Sequence, residues 1–307
     1  MRAILIFVDG MGLGDNDPAH NPFIFTPTKI LSGELGGMPL CSSSVVCHGE
    51  KATLISLDAT LGVSGLPQSA TGQTALFTGL NAPSIVGGHL NRHPTTELKE
   101  LLRNQGILKE LKESGFKPAF INAYRPPFFD ELNKALHRSH SCSTMMNFYA
   151  GLPFRTLEDI KNREALYMDI TNEYLARTGF PLKGTKPEDA AEILLNISKK
   201  YDFTFFEYFL SDVAGHLGER EHASKIVKTL DAFLGNIIKN LNHEETLLII
   251  TSDHGNIEDL SQKNHTFNPV PAIIAATENI RLKAAEEIKD ITHVAPFIKS
   301  FLNSPAA

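Results

Sequence analysis

Six side chains able to bind divalent cations stand at the borders of apolar runs: Asp9, Asp212, His216, Asp253, His254 and His265. Asp9 follows AILIFV at 3–8, and Asp212 and His216 follow FTFFEYFL at 203–210. Asp253 and His254 follow LLIIT at 247–251, and His265 shortly precedes AIIAA at 272–276. Taken singly, an aspartate after a strand is commonly a turn or helix cap, and an isolated histidine is an ordinary hydrogen-bonded residue. Gathered on one sheet edge, the carboxylates would crowd like charges together unless cations neutralised them. A set of oxygen and imidazole donors without thiolate suits Mn²⁺ or Zn²⁺ better than Ca²⁺ and excludes a structural zinc knuckle.

Cations of this kind activate a side-chain oxygen as nucleophile. A candidate lies in Gly65-Leu-Pro-Gln-Ser-Ala-Thr-Gly-Gln-Thr-Ala-Leu-Phe-Thr-Gly79. There Ser69 comes just before a predicted helix start, where backbone N–H groups can hold the oxygens of an anion. On position alone, Ser69 or Thr71 could equally be a helix N-cap.

The elements that must position these groups alternate. The short apolar runs at 3–8, 119–122, 203–210, 247–251 and 272–276 have the texture of strands buried on both faces. Between them lie helical patterns, the clearest over 224–241, where Ile226, Val227, Leu230, Phe233, Leu234, Ile237, Ile238 and Leu241 recur at spacings of three and four. A second helix is predicted over 97–114, stopped by Gly115, and a third opens at Thr185-Lys-Pro-Glu188 with capping-box spacing. The expected fold class is α/β, a doubly wound, mostly parallel sheet with helices on both faces. In such sheets ligands bind beyond the carboxyl ends of the strands. Residues 125–183 break the rhythm, with Pro126-Pro127 and a polar run at 139–143, and are expected to form a small insertion on a core of 1–124 and 184–307.

The strings Val-Asp-Gly-Met-Gly12, Asp-Val-Ala-Gly-His-Leu-Gly218, Asp-His-Gly-Asn256 and His-Thr-Phe-Asn-Pro-Val-Pro271 resemble, in the same order, the metal-binding motifs of cofactor-independent phosphoglycerate mutases in the alkaline phosphatase superfamily. Gly65-Leu-Pro67 followed by Ser69 is similar to the segment leading to that family's nucleophilic serine. In the nucleotide pyrophosphatase and sulfatase branches the nucleophile lies nine residues before the Thr of a Thr-Gly pair, a count that lands on Ser69 from Thr78-Gly79. The resemblance implies an alkaline phosphatase-like core with two divalent metal ions. It puts Asp212, His216 and His265 on one, and Asp9, Asp253 and His254 on the other, with Ser69 completing the second site. It further implies phosphoryl transfer on a small phosphorylated substrate through a phosphoserine intermediate. The Val294-Ala-Pro-Phe297 segment resembles the closing helix of the superfamily, with His293 beside it read as structural.

The phosphoglycerate mutases carry a large second domain inserted after the nucleophile, and the interval between Ser69 and Asp212 is too short to hold it. Hydrolysis is therefore the expected reaction, with a phosphomutase and a non-catalytic metal-binding protein as the alternatives. The sulfatase signature is absent, since Thr71 and Gln73 stand where its Pro and Arg would be. Arg125, Arg138, Arg155, His89, Arg92 and His93 are candidate phosphate contacts, though a solvated surface charge is the commoner role for each.

Composition bounds the rest. With 42% hydrophobic and 21% charged residues the chain is globular, and a net charge of -6 argues against nucleic acid as a partner. Cys41, Cys47 and Cys142 lack any CxxC spacing and are expected to be reduced. No apolar segment is long enough for a membrane span, so the default expectation is a cytoplasmic protein.

Overall fold

The apolar runs become a seven-stranded sheet in a computed structural model that describes residues 1–44, 47–134, 140–180 and 182–304. The strands are β1 (Arg2–Val8), β2 (Cys47–His48), β3 (Ala52–Leu57), β4 (Pro118–Phe120), β5 (Phe203–Tyr208), β6 (Thr246–Thr251) and β7 (Val270–Ala275). Their order is β2-β3-β7-β6-β1-β5-β4. From β4 through β5 and β1 to β6 all pairings are parallel, as the sequence leads one to expect. Beyond β6 the sheet turns antiparallel, through β7 and β3 to β2. The reason lies in the 252–269 connection, which contains no helix and so makes no crossover of the kind a parallel neighbour requires.

Alternation along β1 splits the core. Ala3, Leu5 and Phe7 face one apolar cluster, and Ile4, Ile6 and Val8 face the other. The first cluster takes in Ala70, Ala75, Leu76 and Phe77 of the Ser69–Thr78 helix, together with Val294, Ile298 and Leu302 of the last helix, Val294–Asn303. The second takes the apolar stripe of the helix at Arg220–Asn240. Two opposed buried faces leave the strand ends as the place where polar chemistry can be grouped.

Several local expectations are corrected. The helix predicted over 97–114 is two helices, Thr96–Gln105 and Ile107–Glu113. Gly106 between them is extended, and a Cβ there would meet Leu102 O at 2.5 Å and Met146 Cγ at 3.1 Å. The capping box at Thr185 does not form. The N-cap is Lys186 with no side-chain bond, and the Thr185 hydroxyl instead accepts from Asn172 Nδ2 at 2.9 Å. The run at 203–210 leaves the sheet at Tyr208 and turns into the Leu210–Leu217 helix, and β3 has no counterpart among the predicted strands.

Residues 125–183 carry helices at Pro126–Lys134, Cys142–Tyr149, Leu157–Lys161 and Glu173–Arg177 among the described residues. Of these, Cys142–Tyr149 sends Cys142, Met145 and Met146 into the first core cluster. The segment is tied to the sheet edge by bridges from Asn122 to Leu166 and from Ala123 to Arg155. All three cysteines are free thiols. No helix among the described residues is long and apolar enough to cross a membrane.

Candidate metal centre

The chain leaves β1 through Asp9 and turns at Gly10, whose φ of 67° is open to glycine at little cost. Asp212 and His216 lie one turn apart on the Leu210–Leu217 helix and so share a face. Asp253 and His254 follow β6, and His265 sits on the helix-free connection to β7. Ser69 is the first residue of the Ser69–Thr78 helix; Gln68 takes the N-cap position, which removes the capping role for Ser69.

These groups converge. Ser69 Oγ is 3.0 Å from His254 Nε2, which lies 3.3 Å from Asp9 Oδ1 and 3.5 Å from Asp253 Oδ2. His216 Nε2 is 3.3 Å from Asp212 Oδ2, and His265 Nε2 is 3.6 Å from Asp212 Oδ1. The rings of His254 and His265 stack with centroids 3.6 Å apart. Two groups have all their donor atoms within 4.8 Å of one another: Asp212, His216 and His265, and Asp9, Asp212 and His254. Asp212 thus stands between both, while Asp253 flanks the second.

The surroundings fit cations. Asp9 Oδ1 and Asp253 Oδ2 are buried and have no hydrogen-bond partner, a costly state for carboxylate oxygens unless a positive charge faces them. Burial and then the charges of Asp253, Asp212 and Glu207 drive the Asp9 carboxyl well above its usual range. Burial and then Asp212 push Asp253 up to about 8. Burial holds the His254 and His265 imidazoles below their ordinary value, so both are neutral and able to bind a cation. Each imidazole is oriented through Nδ1: His265 to Pro67 O at 2.9 Å, His216 to Lys263 O at 2.7 Å and His254 to Gly255 O at 3.4 Å. Those bonds assign the tautomer that turns Nε2 inward.

Sequence reasoning missed the residues that brace this set. Glu258, 1% exposed, accepts from Gly12 N at 2.9 Å, Asn256 N at 2.7 Å and Asn268 Nδ2 at 3.1 Å, and from the Thr266 hydroxyl. It ties together the loops after β1 and β6 and the segment before β7. Asn256 Nδ2 donates to Asp212 Oδ1 at 2.6 Å. Gln73, one helical turn beyond Ser69, donates to Asp9 Oδ2 at 3.2 Å. The sequence carries no local signal for Glu258; the close approach that would make a Cβ at Gly12 or Gly255 collide with its carboxylate exists only in the fold. Glu207, 6% exposed on β5, is the other buried acid beside the centre; burial pushes it up to about 7 against the pull of a hydrogen bond from Ser143.

Above Ser69, Asp9 and Asp212 opens a cavity of about 780 Å³ whose walls include Arg92, His93 and Arg125. The other candidate phosphate contacts sit elsewhere. His89 Nε2 bonds Val63 O at 3.2 Å, and Arg155 donates to Tyr201 Oη at 2.6 Å. Arg138 lies outside the described residues. His293 pairs with Asp290 at 3.3 Å.

The profile of the Metalloenzyme superfamily matches residues 161–301. Over 113 residues, 34% of this chain, the sequence is 36% identical to the 2,3-bisphosphoglycerate-independent phosphoglycerate mutase of Ehrlichia ruminantium (strain Gardel), and the match spans only 22% of that protein. The mutase of the same name from Pyrococcus abyssi is 34% identical over 85 residues, 28% of this chain and 20% of that one. Two solved structures align along almost the whole chain. The PH0037 protein from Pyrococcus horikoshii gives a TM-score of 0.57 at 16% identity, covering 98% of this chain and 96% of that one. Alkaline phosphatase from the Antarctic bacterium TAB5 gives 0.53 at 12% identity, covering 99% and 98%. The chain therefore has an alkaline phosphatase-like fold, matches the Metalloenzyme superfamily over residues 161–301, and over about a third of its length is similar to cofactor-independent phosphoglycerate mutases.

Proposed function

We propose that the protein is a phosphoryl-transfer enzyme with two divalent cations, Mn²⁺ or Zn²⁺, that hydrolyses a small phosphate ester through a phosphoserine on Ser69. The observation that carries this reading is the Ser69 hydroxyl, 3.0 Å from His254 Nε2 within the cluster of unpaired buried carboxylates. Asp212, His216 and His265 would hold one cation, and Asp9, Asp253, His254 and Ser69 the other, with Asp212 near enough to both to contribute twice. Bound there, the cations would lower the pKa of the Ser69 hydroxyl and of the attacking water, and neutralise the phosphoryl oxygens.

The chain's own groups do the rest. Ser69 presents its oxygen from the first turn of a helix, where the dipole favours a dianion. Its attack forms the Oγ–P bond as the bond to the leaving alcohol breaks, and water then cleaves Oγ–P to release inorganic phosphate. Gln73 holds Asp9 Oδ2, leaving Oδ1 free to bind, and Asn256 fixes the orientation of the Asp212 carboxylate between the two sites.

The phosphoglycerate mutase likeness favours a second reading, in which the dephosphorylated product is retained and attacks in place of water. A mutase must enclose its intermediate against water. The proposal of a small 125–183 insertion on a core of 1–124 and 184–307 makes that enclosure slight. Protein loaded with Mn²⁺ or Zn²⁺ and given a panel of phosphate esters should release inorganic phosphate and trap phosphate on Ser69. Conversion of 3-phosphoglycerate to 2-phosphoglycerate without phosphate release would replace hydrolysis by the mutase reaction, and no labelling of Ser69 by any ester would remove both.

A further inference from the structure

One wall of the cavity above Ser69 is not used by the chemistry just described. Glu207 reaches it from β5, and a run of hydroxyls leads away from the carboxylate. Ser143 Oγ donates to Glu207 Oε2 at 2.6 Å, and Ser141 Oγ is 2.9 Å from both Ser143 Oγ and Thr144 Oγ1. Thr144 Oγ1 in turn is 2.8 Å from Tyr124 Oη. A hydroxyl has one proton to give and two lone pairs to offer. When ionised, above about 7, the Glu207 carboxylate only accepts, so the Ser143 proton is then committed to it. Ser141 must then donate to Ser143, Thr144 to Ser141, and Tyr124 to Thr144. Every proton in the row is spent inside the row; Ser141 Oγ also accepts from Thr144 N at 3.3 Å and is saturated, so the acceptors left facing the cavity are those of Glu207 and Thr144. No cation among the described residues is within ion-pair reach of Glu207, and its carboxyl is shifted only by burial and the Ser143 bond. The cavity also presents the rings of Phe128, Tyr167, Tyr174 and Phe209, alongside Arg92, His93 and Arg125, the candidate contacts for the phosphate.

An acceptor-rich wall beside aromatic rings matches a ligand with many O–H donors and flat C–H faces. We propose that this wall is the subsite for the leaving alcohol and that the substrates are phosphate esters of polyhydroxylated alcohols. The hydroxyls donate to Glu207 and Thr144, and the C–H faces lie on the rings. The inference rests on phosphoryl transfer at Ser69 for the place of the phosphate, but the character of the wall does not depend on it.

The test compares rings that differ only in their hydroxyls. With Mn²⁺-loaded protein, kcat/KM for myo-inositol 1-phosphate should exceed that for cyclohexyl phosphate by roughly tenfold or more, the worth of one hydrogen bond to a charged acceptor. In Glu207→Gln, which places an N–H₂ donor where the wall needs an acceptor, the ratio should fall towards one. Should that variant not fold, Thr144→Val removes another acceptor and must lower the same ratio. Independently of turnover, ligand-observed NMR should show saturation transfer to myo-inositol and not to cyclohexanol, with the difference lost in the variant. Turnover of both esters at similar kcat/KM, or a preference that survives Glu207→Gln and Thr144→Val, would overturn the subsite and leave phosphoryl transfer standing. An NMR preference with no turnover of either ester would support the subsite and overturn the reaction.

Discussion

Ser69 Oγ and His254 Nε2 lie 3.0 Å apart across 185 residues of sequence, and the contact joins the first turn of a helix to the loop after β6. Ser69→Ala removes the one oxygen in that position able to carry the phosphoryl group. Turnover should drop on the order of 10³-fold or more, while metal content measured by mass spectrometry stays near that of the unaltered protein. Thr71 is fully buried, its hydroxyl accepting from Leu90 N at 3.1 Å. Thr71→Ala should therefore cost about 1 kcal/mol of stability in denaturant titration and retain most of the activity.

Glu258 touches no proposed ligand site directly, yet it fixes the loops that carry Asp9, His254 and His265. Glu258→Ala should weaken metal affinity by about 10–100-fold, read by competition with a fluorescent chelator. Gly12→Ala should act in the same direction, because its Cβ would collide with the Glu258 carboxylate. An unchanged affinity in both variants would detach the brace from the centre.

Chelation should lower the melting temperature, and more so at higher pH. In the metal-free chain the Asp253 carboxyl is raised to about 8 against an ordinary 3.8, with burial the main cause. A raised carboxyl binds a proton that the unfolded chain releases. Its stability is thus fully present below the ordinary value and is lost as pH rises through about 8. Melting curves with and without chelator at pH 5 to 8 should diverge steadily, and a gap independent of pH would count against the buried carboxylates as ligands.

Glu207 gives a separate pH signature, because its carboxyl is raised to about 7 from 4.5 by burial. By the same sign, charging it at alkaline pH destabilises the fold. Glu207→Gln, which never ionises, should gain relative to the unaltered protein between pH 5 and 8, by at most about 3 kcal/mol. Parallel stability profiles for the two proteins would show that Glu207 titrates normally.

The side chains that converge at the candidate centre were legible in the sequence because each sits within a few residues of an apolar run, and short motifs at strand ends survive without knowledge of the loops between them. The parallel centre of the sheet was legible for the same reason. β3 was not, since ATLISL interleaves Thr and Ser with its apolar residues and has no long uninterrupted run. The break at Gly106 depends on how closely Leu102 O and Met146 approach, which is a tertiary fact. Glu258 and Gln73 escaped because a buried acid or amide acquires its role only when loops distant in sequence meet around it. Glu207 was hidden inside a strand that otherwise reads as plain apolar core.

The position of β1 bears on how the chain is made. It pairs Ala3 with Phe203 on one side and with Leu247 on the other. During synthesis this strand, apolar from Ala3 to Val8, therefore leaves the ribosome with neither neighbour in existence, and it waits for most of the chain before the sheet can close over it. Such long-range, parallel pairing is slow to form and leaves sticky surface open meanwhile. The apolar side chains of β1 therefore stay exposed until residues 203–251 have been made, a longer wait than the buried centre of the finished sheet would suggest.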